Sequence, residues 1–158
     1  YPLYLPFQSA KNGNIGTLSI RRLCGTSGAI ALAIYSDSNG SPGSKIGGEM
    51  SYNAAGATQY VRVDLTPAST VTLEQGKQYW IAVVETTTGN CSFVKEPATY
   101  GVGFVGPIDP TTSRLDTAIT NVAGLKLNNS TSALPASVTT ADLEGITTNC
   151  IRFGVIYS

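Results

Sequence analysis

Apolar and polar residues alternate with a period of two over much of the chain. In 59–65, Val61, Val63 and Leu65 fall on one side and Tyr60, Arg62 and Asp64 on the other, the pattern of a strand buried on one face and wet on the other. Leu18 and Ile20 share a phase within 15–23, as do Val71 and Leu73. Ile151, Phe153, Val155 and Tyr157 share one near the end, opposite Cys150, Arg152, Gly154 and Ile156, which predicts a core strand there. Clusters of Gly, Pro, Asn and Ser at 12–14, 25–28, 39–43, 47–48, 74–76 and 106–110 punctuate these runs and read as turns. Helix signals are thin: residues 140–144 can open one turn, but Gly145 follows at once. The expectation is an all-β fold, an antiparallel β-sandwich in which each strand buries one face against the opposite sheet.

Two segments break the alternation. In 30–35, Ile30, Leu32 and Ile34 are backed by Ala31, Ala33 and Tyr35; in 79–84, Tyr79, Ile81 and Val83 are backed by Trp80, Ala82 and Val84. A sandwich covers only its inner faces, so the outer faces of these strands call for an overlying segment, for which 106–135 is the candidate, or for a second subunit. Trp80 is expected in the core or at such an interface.

Length and composition narrow the possibilities. The 158 residues suit one domain, 1–158, able to bury roughly 70% of the surface its unfolded chain exposes. Ten basic and ten acidic residues cancel, and the longest basic cluster, Arg21-Arg22, is too small for a nucleic-acid face. No apolar run reaches the ~18 residues of a membrane helix, so membrane insertion is not expected. The chain begins at Tyr1 rather than Met, and is read as a mature product or a C-terminal piece of a longer protein. Cys24, Cys91 and Cys150 lie far apart without metal-ligand spacing; they read as small buried thiols, with one disulfide of undetermined pairing as the alternative.

The search for chemistry returns little. Histidine is absent, which removes Ser-His-Asp and Cys-His catalysis and most zinc sites. Asp142 and Glu144 are the acids closest in sequence without an intervening strand, and they read as solvated surface groups rather than a hydrolytic pair. The stretch Asp37-Ser38-Asn39-Gly40 resembles the start of a calcium loop, but Ser41, Pro42, Gly43 and Ser44 supply no further acids. It reads instead as a turn, with Asp37 and Asn39 bonding nearby backbone and Gly40 and Gly43 at positive φ. No catalytic residue, metal or cofactor is expected. Surface recognition remains: the chain has eight tyrosines, and Tyr35, Tyr52, Tyr60 and Tyr100 are placed next to turns or on outward faces, where rings can stack on sugars.

After a start "YPLYLPF" at 1–7 and the strand "IGTLSI" at 15–20, four ordered elements carry a family resemblance: "LAIYSDSNGSPGSKI" at 32–46, "LEQGKQYWIAV" at 73–83, "ALPAS" at 133–137, and the final apolar strand at 150–157. The chain resembles the C-terminal, receptor-binding head domain of bacteriophage tail fibres. The resemblance implies a jelly-roll-like sandwich, a homotrimer, a place in the virion tail outside the cell, and non-enzymatic attachment to a host surface glycan or outer-membrane receptor. It transfers no ligand residue by position. The segment 95–114 has no counterpart in it and is the expected recognition loop, with Tyr100, Phe104, Asp109 and Arg114 as candidate ligand-binding residues. Competing readings are a monomeric carbohydrate-binding module of a secreted bacterial protein and a structural trimerisation cap.

Overall fold

A computed structural model describes residues 1–23, 28–53, 61–87, 91–93, 95–97, 124–128, 131–146, 149–151 and 153–158. Strands dominate these residues, and the helical content among them is one 3-10 turn at Thr140–Asp142, followed directly by a strand as the sequence predicts. The fold is all-β and antiparallel. A six-stranded sheet is built from β1 (Leu3–Gln8), β3 (Ala29–Ser38), β4 (Ser41–Asn53), β7 (Gln78–Glu85), β10 (Gly124–Leu127) and β11 (Leu143–Ile146), in the spatial order β11-β10-β1-β7-β3-β4. A smaller sheet centres on the long β2 (Gly13–Leu23), flanked by β5 (Val61–Leu65) and β13 (Phe153–Tyr157). The short β6 (Thr72–Leu73) and β8 (Ser92–Phe93) also pair with β2, and β9 (Lys95–Pro97) pairs with β12 (Asn149–Ile151).

The two sheets share one core. Leu5, Ile30, Leu32, Ile34, Met50, Ile81 and Val83 of the large sheet meet Ile15, Leu18, Ile20, Val63, Leu65 and Leu73 of the smaller sheet. Alternation on β5 holds as predicted, with Val63 and Leu65 buried and Arg62 and Asp64 exposed. Each fully buried large aliphatic side chain stabilises the fold by about 1.5–3 kcal/mol before entropy is counted.

The outer face of the large sheet is also buried, within the single chain. Ala31, Ala33, Tyr35, Trp80, Ala82 and Val84 cluster there with Tyr4, Leu125, Leu127, Leu134 and Leu143. Part of the cover is residues 131–138, which overlap the end of the expected overlay 106–135; residues 106–123 of that segment lie outside the described residues. Leu134 packs into the cluster, the Tyr35 hydroxyl donates to the Pro135 carbonyl, and Val138 packs on the rim. This segment is tied to the free side of β4: the Lys45 N–H donates to Ala136 O at 2.8 Å, the Val138 N–H donates to Gly43 O at 3.1 Å, and Ser44 bridges to Ser137. The "ALPAS" element therefore caps an edge and roofs a face together. Burial pushes the Tyr4 hydroxyl up to about 12 and the Tyr35 hydroxyl further still.

The β3–β4 hairpin turns at Asn39 and Gly40, both at positive φ (53° and 76°), between the paired residues Ser38 and Ser41. Two such residues in a two-residue loop match the right-handed twist of the strands. Gly43, expected at positive φ, is not there for that reason: a Cβ on it would lie 2.8 Å from the Ser36 hydroxyl. Residues 47–48 are no turn either. β4 runs through them as a bulge, because Leu32 pairs with Met50 while Ile34 pairs with Ile46. Gly47 takes φ 69°, and a Cβ there would lie 2.4 Å from Val71. The sequence shows small residues at 47–48, but the loop pressing on them comes from twenty residues further along.

The turn residue Asp37 does more than close its own loop. One carboxylate oxygen accepts the Gly40 N–H at 3.1 Å; the other accepts the Trp80 indole N–H at 2.8 Å and the Gln78 amide at 2.9 Å. Trp80, 1% exposed, is a core residue as expected.

Two expectations are corrected. β13 is an edge strand of the smaller sheet, paired only with β2 among the described residues, and its residues are half-buried or exposed rather than core; Phe153, Val155 and Tyr157 do face inward as predicted. Cys91 is disulfide-bonded, not a free thiol.

Asp37→Ala should lower stability by about 2–3 kcal/mol, since it removes the acceptor of a buried indole N–H along with the turn bond. Urea unfolding followed by tryptophan fluorescence measures this, and a loss under 0.5 kcal/mol would refute the role given to Asp37. Reduction of the disulfide should cost up to about 4 kcal/mol, because either remaining cysteine closes a long loop with Cys91. Under unfolding, non-reducing conditions one thiol per chain should react with a thiol reagent; three would contradict the bridge.

Candidate functional site

The outer face of the smaller sheet carries a shallow groove. Register sets one row across three strands: Gly154 of β13 pairs with Ser19 of β2, and Ser19 pairs with Asp64 of β5. These positions alternate with the inward Leu18, Ile20, Val63 and Val155, so they face outward. Gly154 has no side chain, and the hollow of about 420 Å³ lies over it, between Ser19, Arg62 and Ile156. A Cβ on Gly154 would meet the Ser19 Cβ at an ordinary 3.7 Å, so the backbone does not require glycine here.

Polar groups along one wall are held in place. The Arg62 Nε donates to Asp64 Oδ1 at 2.8 Å, the Arg62 Nη2 donates to the Ser19 hydroxyl at 3.1 Å, and that hydroxyl donates to Asp64 Oδ1. The Ser19 hydroxyl, then the Arg62 guanidinium, hold the Asp64 carboxyl below the usual carboxylate range. Ile156, 45% exposed, supplies an apolar wall. Fixed donors and acceptors beside one apolar side chain can hydrogen-bond hydroxyls and pack on C–H groups. A second hollow of about 530 Å³, between Asn14, Gly16, residues 66–70 and Ser158, has no charged side chain in its lining.

The sequence-based candidates fare differently. Tyr100, Phe104, Asp109 and Arg114 lie outside the described residues, as does Tyr60. Tyr35 is not a surface platform: it is wholly buried, edge-on to Tyr4 with ring centroids 5.3 Å apart. Tyr52 is half-buried against the core, with the Arg22 guanidinium over its ring. Asp142 and Glu144 are exposed, and Glu144 pairs with Lys126. Among the described residues, no group of three or more His, Cys, Asp or Glu is placed to hold a metal ion.

Sequence reading missed the Ser19, Arg62 and Asp64 grouping because the three residues come from strands that only the register brings side by side. The outward phase of Arg62 and Asp64 was legible; their neighbour on β2 was not.

Because the Asp64 carboxyl is depressed on folding, its contribution to stability is present above the ordinary carboxylate value of ~3.9 and is lost as pH falls through its folded value. An NMR titration of Asp64 should give a midpoint below ~3.9, moving up in Ser19→Ala and Arg62→Gln; an unmoved midpoint in both would break the network described. No family model matches the chain, and no significant match was found among the curated proteins or the solved structures compared with it.

Proposed function

We propose that this chain is a non-catalytic recognition domain, the receptor-binding head of a bacteriophage tail fibre, which attaches to a glycan on the host cell surface. The observation that carries the binding role is the groove over Gly154, where a fixed Ser19, Arg62 and Asp64 network and the exposed Ile156 flank an open floor. Such shallow polar sites suit weak contact with sugar hydroxyls, which repetition on one particle turns into firm attachment. A disulfide at Cys91 fits an oxidising location such as the outside of a cell or virion. The resemblance supplies the tail-fibre context, the jelly-roll-like topology and the homotrimer. The 95–114 segment, with Tyr100, Phe104, Asp109 and Arg114, remains part of the proposed receptor face.

One observation favours a second reading, a monomeric carbohydrate-binding module. Both faces of β3 and β7 are buried inside one chain, so the two-sided apolar strands do not require a second copy. A trimer would have to use other surfaces.

Gly154→Val fills the groove while leaving the strand free to form. It should reduce adsorption to host cells, or binding to the cognate glycan, at least tenfold, with a melting temperature within about 2 °C of the parent. Unchanged adsorption by this variant would exclude the groove as the receptor site. Light scattering separates the two readings: a trimer supports the fibre head, a monomer that binds polysaccharide supports the module.

A further inference from the structure

Arg22 is only 1% exposed, and among the described residues it has no ion-pair partner. On β2 it follows Leu18 and Ile20 in the alternation and shares their inward phase. Register places it between Val61 of β5 and Phe93 of β8. The guanidinium carbon is 4.5 Å from the ring centroid of Tyr52. The ring attracts the charge but offers no lone pair to the N–H donors, and Nε and Nη1 are both buried without a hydrogen bond.

Six acids whose side chains are described are engaged elsewhere, and Asp142 is exposed at the surface. Glu85 is the one that topology brings to this end, since Ile30 pairs with both Tyr52 and Glu85. Its Oε1 accepts the Cys91 N–H at 3.0 Å. Glu49, Asp64, Glu74 and Glu144 pair with Lys45, Arg62, Lys77 and Lys126, and Asp37 takes the Trp80 indole. An arginine does not escape the cost of burial by losing its proton, unlike lysine or histidine, so a buried one needs an anion.

We propose that Arg22 binds a small inorganic anion, chloride or a compact oxyanion, which accepts from Nε or Nη1 and serves as a resident counter-ion at this end of the core. The near-complete burial of the side chain rules out anything of sugar size without opening of the sheets. The inference does not depend on the glycan reading.

The test uses the full chain, exchanging sodium gluconate for sodium chloride or for sodium phosphate at constant ionic strength. The parent melting temperature should rise by about 3–5 °C per tenfold increase in the bound anion once its concentration exceeds the dissociation constant. Arg22→Met measured in the same series removes general salting effects, and its profile should be flat or follow those effects alone. The anion that gives the larger difference between the two proteins is the natural class of ligand. Crystals of the parent protein grown in bromide give a second readout that needs no variant: an anomalous peak within hydrogen-bond distance of Nε or Nη1. Equal responses from parent and Arg22→Met, or a carboxylate of the chain seated on Arg22 in those crystals, would overturn the proposal.

Discussion

β3 and β7 are apolar on both faces, and the rest of the architecture answers that constraint. Ile30, Leu32, Ile34, Ile81 and Val83 require the smaller sheet on one side; Ala31, Ala33, Tyr35, Trp80, Ala82 and Val84 require cover on the other. The strands lie side by side in the middle of the large sheet, so neither apolar face comes to a sheet edge. Small alanines on the outer face let the overlying chain approach closely, while Tyr35 and Trp80 fill the remaining depth.

Polar bonds then choose one arrangement among the many that apolar burial would allow. Apolar contact is non-directional, but the Asp37 carboxylate reaches the Trp80 indole only when the hairpin end lies against β7 in this register. The Tyr35 hydroxyl marks the position of Pro135 in the same way. Each bond joins residues far apart in sequence and sits where a shifted register would leave a buried donor unmet. The Tyr4 hydroxyl and the Nε and Nη1 of Arg22 depart from this rule, and of these only Arg22 carries a charge.

The smaller sheet is organised differently. Its inner face shares the core, while its outer face presents the exposed Arg62 and Asp64 as an ion pair. The role proposed for that face is reversible contact with a hydroxyl-rich ligand.

Period-two alternation, its breaks and the turn residues between them determined the all-β class, the inward phase of β5 and β13, the turn at Asn39 and Gly40, and the excess of apolar surface on 30–35 and 79–84, because these depend on local backbone geometry. The alternation also held Arg22 in phase with Leu18 and Ile20. Tertiary structure alone decided what covers the outer face, why Gly43 and Gly47 need to be small, that Cys91 is bridged, and that Ser19 joins Arg62 and Asp64. Those facts rest on which strands become neighbours and in what register. Pairing between distant segments is set by the whole chain's burial and leaves no local mark on the residues that meet.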